Sequence, residues 1–431
     1  MHALSVAAAP RVKPNHRERP SGASQRTATR CAVMTPSSER PVNNEACDEL
    51  VQGCAALDAR IASFMARKPD VEGIIKLRRA LSRERDVAVS LRSGLDSSRF
   101  ATSRQGLENN LRGFSLELIC ADWAPNVTAV RKRFASRTPS VVAKLEDDEV
   151  VEVDVVAQGG ALWIECKAER GRVAAGIVTQ ALTLQKVASA PCNLRPFGVP
   201  PRVAVFVTGE LGEMEARTLR ENDILILRAN GVGGVAALDP LAVLPPAPAP
   251  PKMANLDVTT LFALVSEVSH ATRSNFMAFL DDPVVREWAA KKAQHRACLN
   301  AELEDPQDLE RQLQDYEKLV VHPSVLRRFV KILYTMGGPR EQRRWVEEWS
   351  HRIDVLDVAE AHEGDDSGVE SRRRRVRSLE RISDPQLDAF ELGEVAMAKT
   401  FTANGRAVLS AAEQGVCLET HVHRAIWLVG L

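Results

Sequence analysis

The chain has 431 residues, which is long enough for two or more domains with substantial hydrophobic cores. Its 57 basic and 57 acidic residues balance, so no overall positive field predicts nucleic-acid binding and any such binding must come from local patches. No apolar run approaches the roughly 20 residues of a membrane span, which argues against a membrane protein.

The cysteines and the first residues bear on cellular location. Eight cysteines are scattered along the chain without a C-x-x-C pair, which argues against a zinc ribbon and against a disulfide framework. We therefore expect an intracellular protein, cytoplasmic or nuclear. Residues 1–44 are rich in Ala, Ser, Pro and Arg and poor in acids, a composition that predicts disorder. An organellar transit peptide is the alternative for this segment.

Residues 45–98 are predicted to form a helical hairpin. Apolar residues recur at three- and four-residue steps from Leu50 to Phe64, and Pro69-Asp70 separates this run from a second one. The second helix is dense in Arg and Lys on its other face. We expect that basic face to be solvated, and contact with a phosphate backbone is the alternative.

Residues 99–240 are predicted to form an α/β domain with a mixed sheet. A helix at 104–122 carries Glu117 beside its apolar stripe, and a helix at 174–188 presents Gln180. The other predicted elements are strands at 127–134, 141–145, 150–157, 161–168, 203–207 and 224–227, and a helix at 213–221. The Pro-rich segment 241–253 is predicted to be a semi-rigid linker.

Two of these strands, Val150–Ala157 and Ala161–Ala168, are predicted to form a hairpin around Gln158-Gly159-Gly160. Asp154 then lies on the first strand, and Glu165 and Lys167 share one face of the second. Two carboxylates and a lysine could hold a divalent cation and steady the water that attacks a phosphodiester. The simpler interpretation is that Glu165 and Lys167 only form a salt bridge.

Residues 254–431 are predicted to form a second α/β domain, with a parallel sheet. The predicted strands are 254–261, 353–358 and 400–402, and residues 415–421 and 425–429 are predicted to be strands or extended segments. The predicted helices are 284–299, 309–320, 325–336, 385–398 and 407–414. A loop at 362–378 would carry the arginine run Arg372–Arg377. That run is interpreted as solvated or neutralised by neighbouring acids, with phosphate binding and nuclear localisation as alternatives. His421 and His423 are interpreted as strand-surface residues.

Asp154 and Glu165-Cys166-Lys167, with the helices and strands around them, resemble the PD-(D/E)XK nucleases over residues 100–230. The resemblance implies a restriction-endonuclease-like fold in which Asp154 and Glu165 bind Mg²⁺ (or Mn²⁺) and Lys167 orients the attacking water. It also implies that Glu117 is an additional acid and that Gln180 is the polar residue of the following helix.

The second domain resembles PIN-like domains. The resemblance rests on Asn255-Leu256-Asp257-Val258-Thr259-Thr260 at its start and on Thr402-Ala403-Asn404 near its end. It implies a metal site in which Asp257, Asn404 and either Glu394 or Asp388 are ligands. Asn404 stands where the family commonly has an aspartate, so a degenerate scaffold is the alternative.

The order of the two domains resembles a family of uncharacterised eukaryotic proteins, over about residues 45–425. In that family a helical hairpin and a PD-(D/E)XK-like domain precede a PIN-like domain. The function expected from these resemblances is metal-dependent hydrolysis of RNA or DNA. The rival hypothesis is a non-catalytic scaffold that binds nucleic acid or protein.

Overall fold

The computed structural model describes residues 44–92, 100–136, 150–168, 176–230, 239–240, 244, 246–270, 276–361 and 367–430. Several predictions therefore lie outside the described residues. They are the disordered segment as far as residue 43, the strand at 141–145, part of the linker, and residues 362–366 of the arginine-bearing segment.

Three helices precede and cover the first sheet. They are α1 (Asn44–Arg67), α2 (Ile74–Arg92) and α3 (Phe100–Trp123). Their apolar residues, among them Ile61, Phe64 and Leu77, share one core with the α3-facing side of the sheet. The predicted helical hairpin is thus present and forms one face of the first α/β layer.

The first sheet has six strands in the order β1-β2-β3-β4-β5-β6. The strands are β1 (Ala129–Ala135), β2 (Val150–Ala157), β3 (Leu162–Lys167), β4 (Arg202–Val207), β5 (Leu225–Asn230) and β6 (Asp239–Pro240). The pairs β3–β4 and β4–β5 are parallel and the other pairs are antiparallel, so the sheet is mixed as predicted. Helices α4 (Gly176–Ala188) and α5 (Glu213–Glu221) pack on the side opposite α1–α3.

The second sheet has five strands, all parallel, in the order β11-β10-β7-β8-β9. The strands are β7 (Met253–Leu256), β8 (Lys318–Val321), β9 (Ile353–Val355), β10 (Lys399–Thr402) and β11 (Thr420–Val422). The helices of this region are α6 (Val258–Val265), α7 (Phe276–Asp281), α8 (Pro283–Lys291), α9 (Ala293–Glu304), α10 (Leu309–Leu313), α11 (Pro323–Met336), α12 (Pro339–Arg344), α13 (Ser367–Arg377), α14 (Asp384–Val395) and α15 (Gly405–Glu413). The fold class is the predicted one, α/β with a mixed sheet followed by a parallel sheet.

Several element predictions in this region were wrong. The strand predicted at 254–261 ends at Leu256, because Asp257 caps α6 by accepting hydrogen bonds from the backbone N–H groups of Thr259 and Thr260. The helix predicted at 309–320 contains only α10 and then β8, in which Val320 and Val321 are completely buried. A buried run of β-branched residues fits a strand between two others, and periodicity alone does not distinguish it from a buried helix.

Three other boundaries also differ. The helix predicted at 284–299 is broken at Lys292, whose φ and ψ of −145° and 138° are extended. Residues 425–429, predicted to be a strand or an extended segment, belong to no strand. The arginine run is helical rather than a loop and belongs to α13. Glu370 lies one helical turn before Arg373 and Arg374, and its ion pairs with both arginines support the helix.

Two further features follow from the described residues. Their helices include none that is long and apolar enough to cross a membrane. All seven cysteines of the described ranges are free thiols, and five of them are buried.

Gly73 joins the helical hairpin to the first sheet. Glu72 forms a parallel bridge with Ala129, and the backbone N–H of Val130 donates to the carbonyl of Glu72 at 2.8 Å. Gly73 follows with φ of +83°, and a Cβ atom there would lie 1.9 Å from the carbonyl oxygen of Val130. Only glycine fits this junction without moving the backbone.

We therefore expect Gly73→Ala to lower the free energy of unfolding by at least about 2 kcal/mol, from left-handed strain and a backbone clash. Gly106→Ala is the matched control, since Gly106 lies in α3 and a Cβ atom added there would meet no other atom within 4 Å. The control should gain about 0.5–1 kcal/mol from helix propensity. Urea unfolding measures both changes, and equal effects would contradict this account of the junction.

Candidate active site

The β1–β2 pair is distorted at Asp154. Val153 packs on the α4–α5 side of the sheet, whereas Val155 packs on the α1–α3 side. In a regular strand these two residues would share a face, because side chains alternate with a period of two. The pairing skips Arg131 and Asp154, which lie between the pairs Val130–Val155 and Lys132–Val153. Arg131 has φ of +51°. The distortion turns both Asp154 and Arg131 toward one cavity, as strand irregularities near functional sites commonly do.

Asp154 has little compensation for its charge. Its Oδ2 accepts a hydrogen bond from the backbone N–H of Cys166 at 2.7 Å, and no other described residue donates to it. Removal from water raises the pKa of Asp154 well above its usual range, and the carboxylates of Glu117 and Glu165 raise it further. The N–H of Cys166 and the charge of Lys167 act in the opposite direction but do not outweigh these effects. A cation placed here would favour the ionised form.

Glu165 and Lys167 form the ion pair expected for same-face neighbours on β3. Their Oε1 and Nζ atoms are 2.8 Å apart, and the Glu165 side chain is 9% exposed while that of Lys167 is 27% exposed. Burial lowers the pKa of Lys167, but Glu165 and then Asp154 raise it by more, so its pKa lies above the ordinary value. Lys167 is therefore an ammonium group at neutral pH, and it borders the cavity.

Glu117 is held by Arg131 in a two-point ion pair. Its Oε1 and Oε2 atoms each accept from the guanidinium at 2.6 Å, and Arg131 also lies over the ring of Phe114, 4.7 Å from its centroid. Burial raises the pKa of Glu117, and Arg131 offsets that rise only in part. Both oxygens of this predicted additional acid are thus engaged by one side chain.

The cavity has a volume of about 570 Å³ and is bordered by Asp154, Lys167, Glu117 and Arg131. The wall along α3 consists of polar side chains that the sequence analysis did not identify: Gln105, Asn109, Asn110 and Arg112. Their recurrence at three- and four-residue steps was the available signal. Gln180 is exposed on α4 and is not among the described residues that border this cavity.

Two carboxylate oxygens are available to a cation here, one on Asp154 at the cavity and one on Glu165, which is not among the described residues that border it. Within the described residues, Oδ1 of Asp154 and Oε2 of Glu165 have no protein partner. No group of three or more His, Cys, Asp or Glu side chains in that part of the chain is arranged to hold a metal ion. Mg²⁺ usually retains several waters and uses one or two carboxylates together with substrate phosphates, so two carboxylates are compatible with it.

The second sheet places Asp257 at the carboxyl end of β7, beside Thr402 at the end of β10. Asp257 accepts from the backbone N–H of Thr259 at 2.8 Å and of Thr260 at 2.9 Å, and from the hydroxyls of Thr259 and Thr402. Its exposed fraction is 4%. Oδ1 of Asp257 is therefore engaged by helix capping, and Oδ2 accepts one hydrogen bond, from the Thr402 hydroxyl of the neighbouring strand.

The other three residues predicted as ligands of this region are also engaged. Asn404 caps α15, because its Oδ1 accepts a hydrogen bond from the N–H of Ala407. The backbone N–H of Asn404 donates to the hydroxyl of Thr402, the same hydroxyl that donates to Asp257. Asp388 accepts from the hydroxyl of Ser324 and from Arg377 at 2.7 Å, contacts that lower its pKa against the effect of burial.

Glu394 faces the first α/β layer instead. Its carboxylate accepts from the backbone N–H of Phe197 at 3.0 Å and pairs with Arg375 at 3.2 Å. Phe197 belongs to a turn, Pro196–Gly198, between α4 and β4 and has φ of +64°. Burial raises the pKa of Glu394 to about 7, although Arg375 and the N–H of Phe197 lower it. This residue joins the two sheet regions.

His423 is not a surface residue as predicted. It is 7% exposed, its Nε2 lies 2.9 Å from the hydroxyl of Thr260, and its Nδ1 lies 2.9 Å from the carbonyl of Arg424. Burial lowers its pKa, so it is neutral at neutral pH. The signal that could have placed it is its position directly after β11, at the same sheet edge as Asp257.

A family model matches the second region of the chain. Residues 254–429 match a family described as protein of unknown function (DUF1308). That match indicates no nuclease family, and it covers less than half of the chain. No solved structure matches the chain.

The charge of Asp154 predicts a gain in stability for Asp154→Asn. The folded pKa is raised above the unfolded one, so stability is lost as the pH rises from about 4 through the folded pKa. The amide keeps an oxygen for the N–H of Cys166 but carries no charge. At neutral pH we expect a gain of about 0.5–2 kcal/mol, which disappears below about pH 4. Urea unfolding at both pH values measures it, with the exposed Glu152→Gln as a control that should change little.

The hydrogen bonds that Asp257 accepts predict a structural role for this side chain. Asp257→Ala should lower the free energy of unfolding by about 1–3 kcal/mol, since it removes a cap and leaves buried donors without partners. Asp282→Ala, which removes the less buried cap of α8, should cost about 0.5–1 kcal/mol. Calorimetric titration with Mn²⁺ should give the same affinity for Asp257→Ala and wild type. A weaker affinity would make Asp257 a ligand.

Proposed function

We propose that this protein hydrolyses phosphodiester bonds of RNA or DNA with a divalent cation, at the cavity beside Asp154. The observation that carries the proposal is a carboxylate with little compensation, Asp154, at a cavity that Lys167 also borders, while Glu165 pairs with that lysine. Proteins seldom retain such a raised carboxyl pKa without a reason, and perturbed groups in clefts are candidates for function.

Asp154 and Glu165 are the proposed ligands, each through the carboxylate oxygen that no described protein group occupies. When bound, Mg²⁺ or Mn²⁺ polarises a phosphodiester oxygen and makes water a better nucleophile at neutral pH. Asp154 would then remain ionised, because an adjacent cation favours its charged form. Binding of the cation is therefore proposed to release a proton from the site.

Lys167 is proposed as the group that meets the substrate. Its ammonium can donate to a phosphate oxygen or orient water, and it stabilises negative charge that develops as the bond breaks. Arg131 and Glu117 are proposed as positioning residues, because their mutual pair holds α3 against the distorted strands. The polar α3 wall, with Gln105 and Asn109, is proposed to contact the nucleotides that flank the scissile bond.

The second region is proposed to be a non-catalytic scaffold. The observation that favours this role is that both carboxylate oxygens of Asp257 accept hydrogen bonds from protein donors. The wider alternative is that neither region is catalytic and that the protein is a scaffold that binds nucleic acid or protein. A cytoplasmic or nuclear location, with an organelle as the alternative, stays a prediction from composition and cysteine spacing.

The test is cleavage of single- and double-stranded RNA and DNA by the full chain with Mg²⁺ or Mn²⁺. Lys167→Ala should lower the cleavage rate by about 10²–10³-fold, the usual effect of removing one charge-stabilising donor. Lys132→Ala is the matched control, since Lys132 is a lysine of the same sheet, on β1, that pairs with Glu72. Equal residual cleavage by wild type and Lys167→Ala would refute the catalytic claim.

A second measurement tests cation binding separately from cleavage. Thermal unfolding of the wild type should shift upward with Mn²⁺, because a ligand that binds only the folded state stabilises it. Asp154→Asn should show a much smaller shift. A shift that is identical in both proteins would place the cation elsewhere.

A further inference from the structure

Helix α11 presents an unusually basic surface in a chain of zero net charge. Its 14 residues include Arg327, Arg328 and Lys331 and no acid. All three side chains are exposed, and within the described ranges none of them forms an ion pair. This arrangement differs from the arginine run of α13, where Arg373, for example, pairs with Glu391 at 2.9 Å.

The elements that pack against α11 do not supply the missing negative charge. These elements are chiefly α6, α12 and α14. Helix α6 has no charged residue. The acid of α12, Glu341, is completely buried and accepts from the backbone N–H groups of Gly338, Val429 and Gly430. On α14, Asp388 is already paired with Arg377.

An aromatic ring lies in the same surface. Tyr334 follows Arg327 and Lys331 at the seven- and three-residue spacings that place side chains on one side of a helix, and it is 54% exposed. We name these four residues, Arg327, Arg328, Lys331 and Tyr334, the α11 basic face. Cations spaced along a helix can contact successive phosphates, and an exposed ring can stack on a base that is not paired.

We propose that the α11 basic face binds single-stranded nucleic acid, with its three cations on the phosphates and Tyr334 stacked on a base. The shared chemistry of the ligand is an unpaired base on a sugar–phosphate backbone, so both RNA and DNA strands fit. The exposed aromatic ring favours a single strand over a duplex, whose bases are already stacked. Binding at α11 does not depend on hydrolysis at the Asp154 cavity, and it gives the second region a role of its own.

The test is fluorescence anisotropy of the full chain with labelled single strands of RNA or DNA, in EDTA so that cleavage cannot interfere. The triple variant Arg327→Gln, Arg328→Gln, Lys331→Gln should bind at least about tenfold more weakly at low salt. Its dependence of log affinity on log salt should be shallower by about two, because each contact with a single strand contributes about 0.7 to that slope.

A matched control removes the same charge elsewhere. Arg217, Lys252 and Arg286 are exposed and each pairs with an acid, so Arg217→Gln, Lys252→Gln, Arg286→Gln should bind as the wild type does. An equal loss in both triple variants would reduce the effect to net charge and overturn the proposal. Because binding is measured in EDTA and hydrolysis is measured with Mg²⁺ or Mn²⁺, failure of this proposal is distinguishable from failure of the proposed hydrolysis.

Variants of Tyr334 and other polyanionic ligands test whether the α11 basic face binds a single strand specifically. Tyr334→Ala should weaken single-strand binding about fivefold or more, and Tyr334→Phe should restore it because the ring is kept. Binding of a duplex, or of vesicles containing phosphatidylserine, should be weaker than that of the single strand. The proposal fails if either ligand binds as tightly as the single strand, if Tyr334→Ala has no effect, or if no strand binds.

Discussion

The pair between Arg131 and Glu117 is the interaction on which the first α/β layer depends. It ties α3 to the sheet where β1 and β2 leave their regular register, and it compensates two charges that burial would otherwise make costly. Breaking such a pair from one side typically costs about 3–5 kcal/mol. Because Arg131 pairs with Glu117 and Lys167 with Glu165, no cation among the described residues forms an ion pair with Asp154.

The two sheet regions treat their central aspartates in opposite ways. Asp154 has one backbone donor and two acidic neighbours, so the folded protein would be more stable without its charge. Asp257 receives donors from its own helix and from the next strand, so the fold needs that carboxylate. An aspartate that costs stability suggests selection for function, whereas one that supplies stability requires no further role.

Glu394 shows how the two regions are joined. A carboxylate predicted as a metal ligand instead accepts the backbone N–H of Phe197, in a turn of the first region, while Arg375 balances its charge. Arg375, on α13, also donates to the carbonyl of Arg195, so α13 and α14 together contact both sides of that turn. With a pKa of about 7, Glu394 makes this junction more favourable when protonated than when ionised.

The sequence by itself determined the alternation of strands and helices and the Asp154 to Lys167 hairpin, because these depend on periodicity and turn chemistry between near neighbours. The α11 cations were visible in the sequence as well, but not their lack of partners. Tertiary structure alone decided that Val320 and Val321 form a strand, that Arg131 occupies both oxygens of Glu117, and that Glu394 faces Phe197 rather than Asp257. Each of these outcomes rests on a contact between residues far apart in the chain, where burial and pairing override local preference.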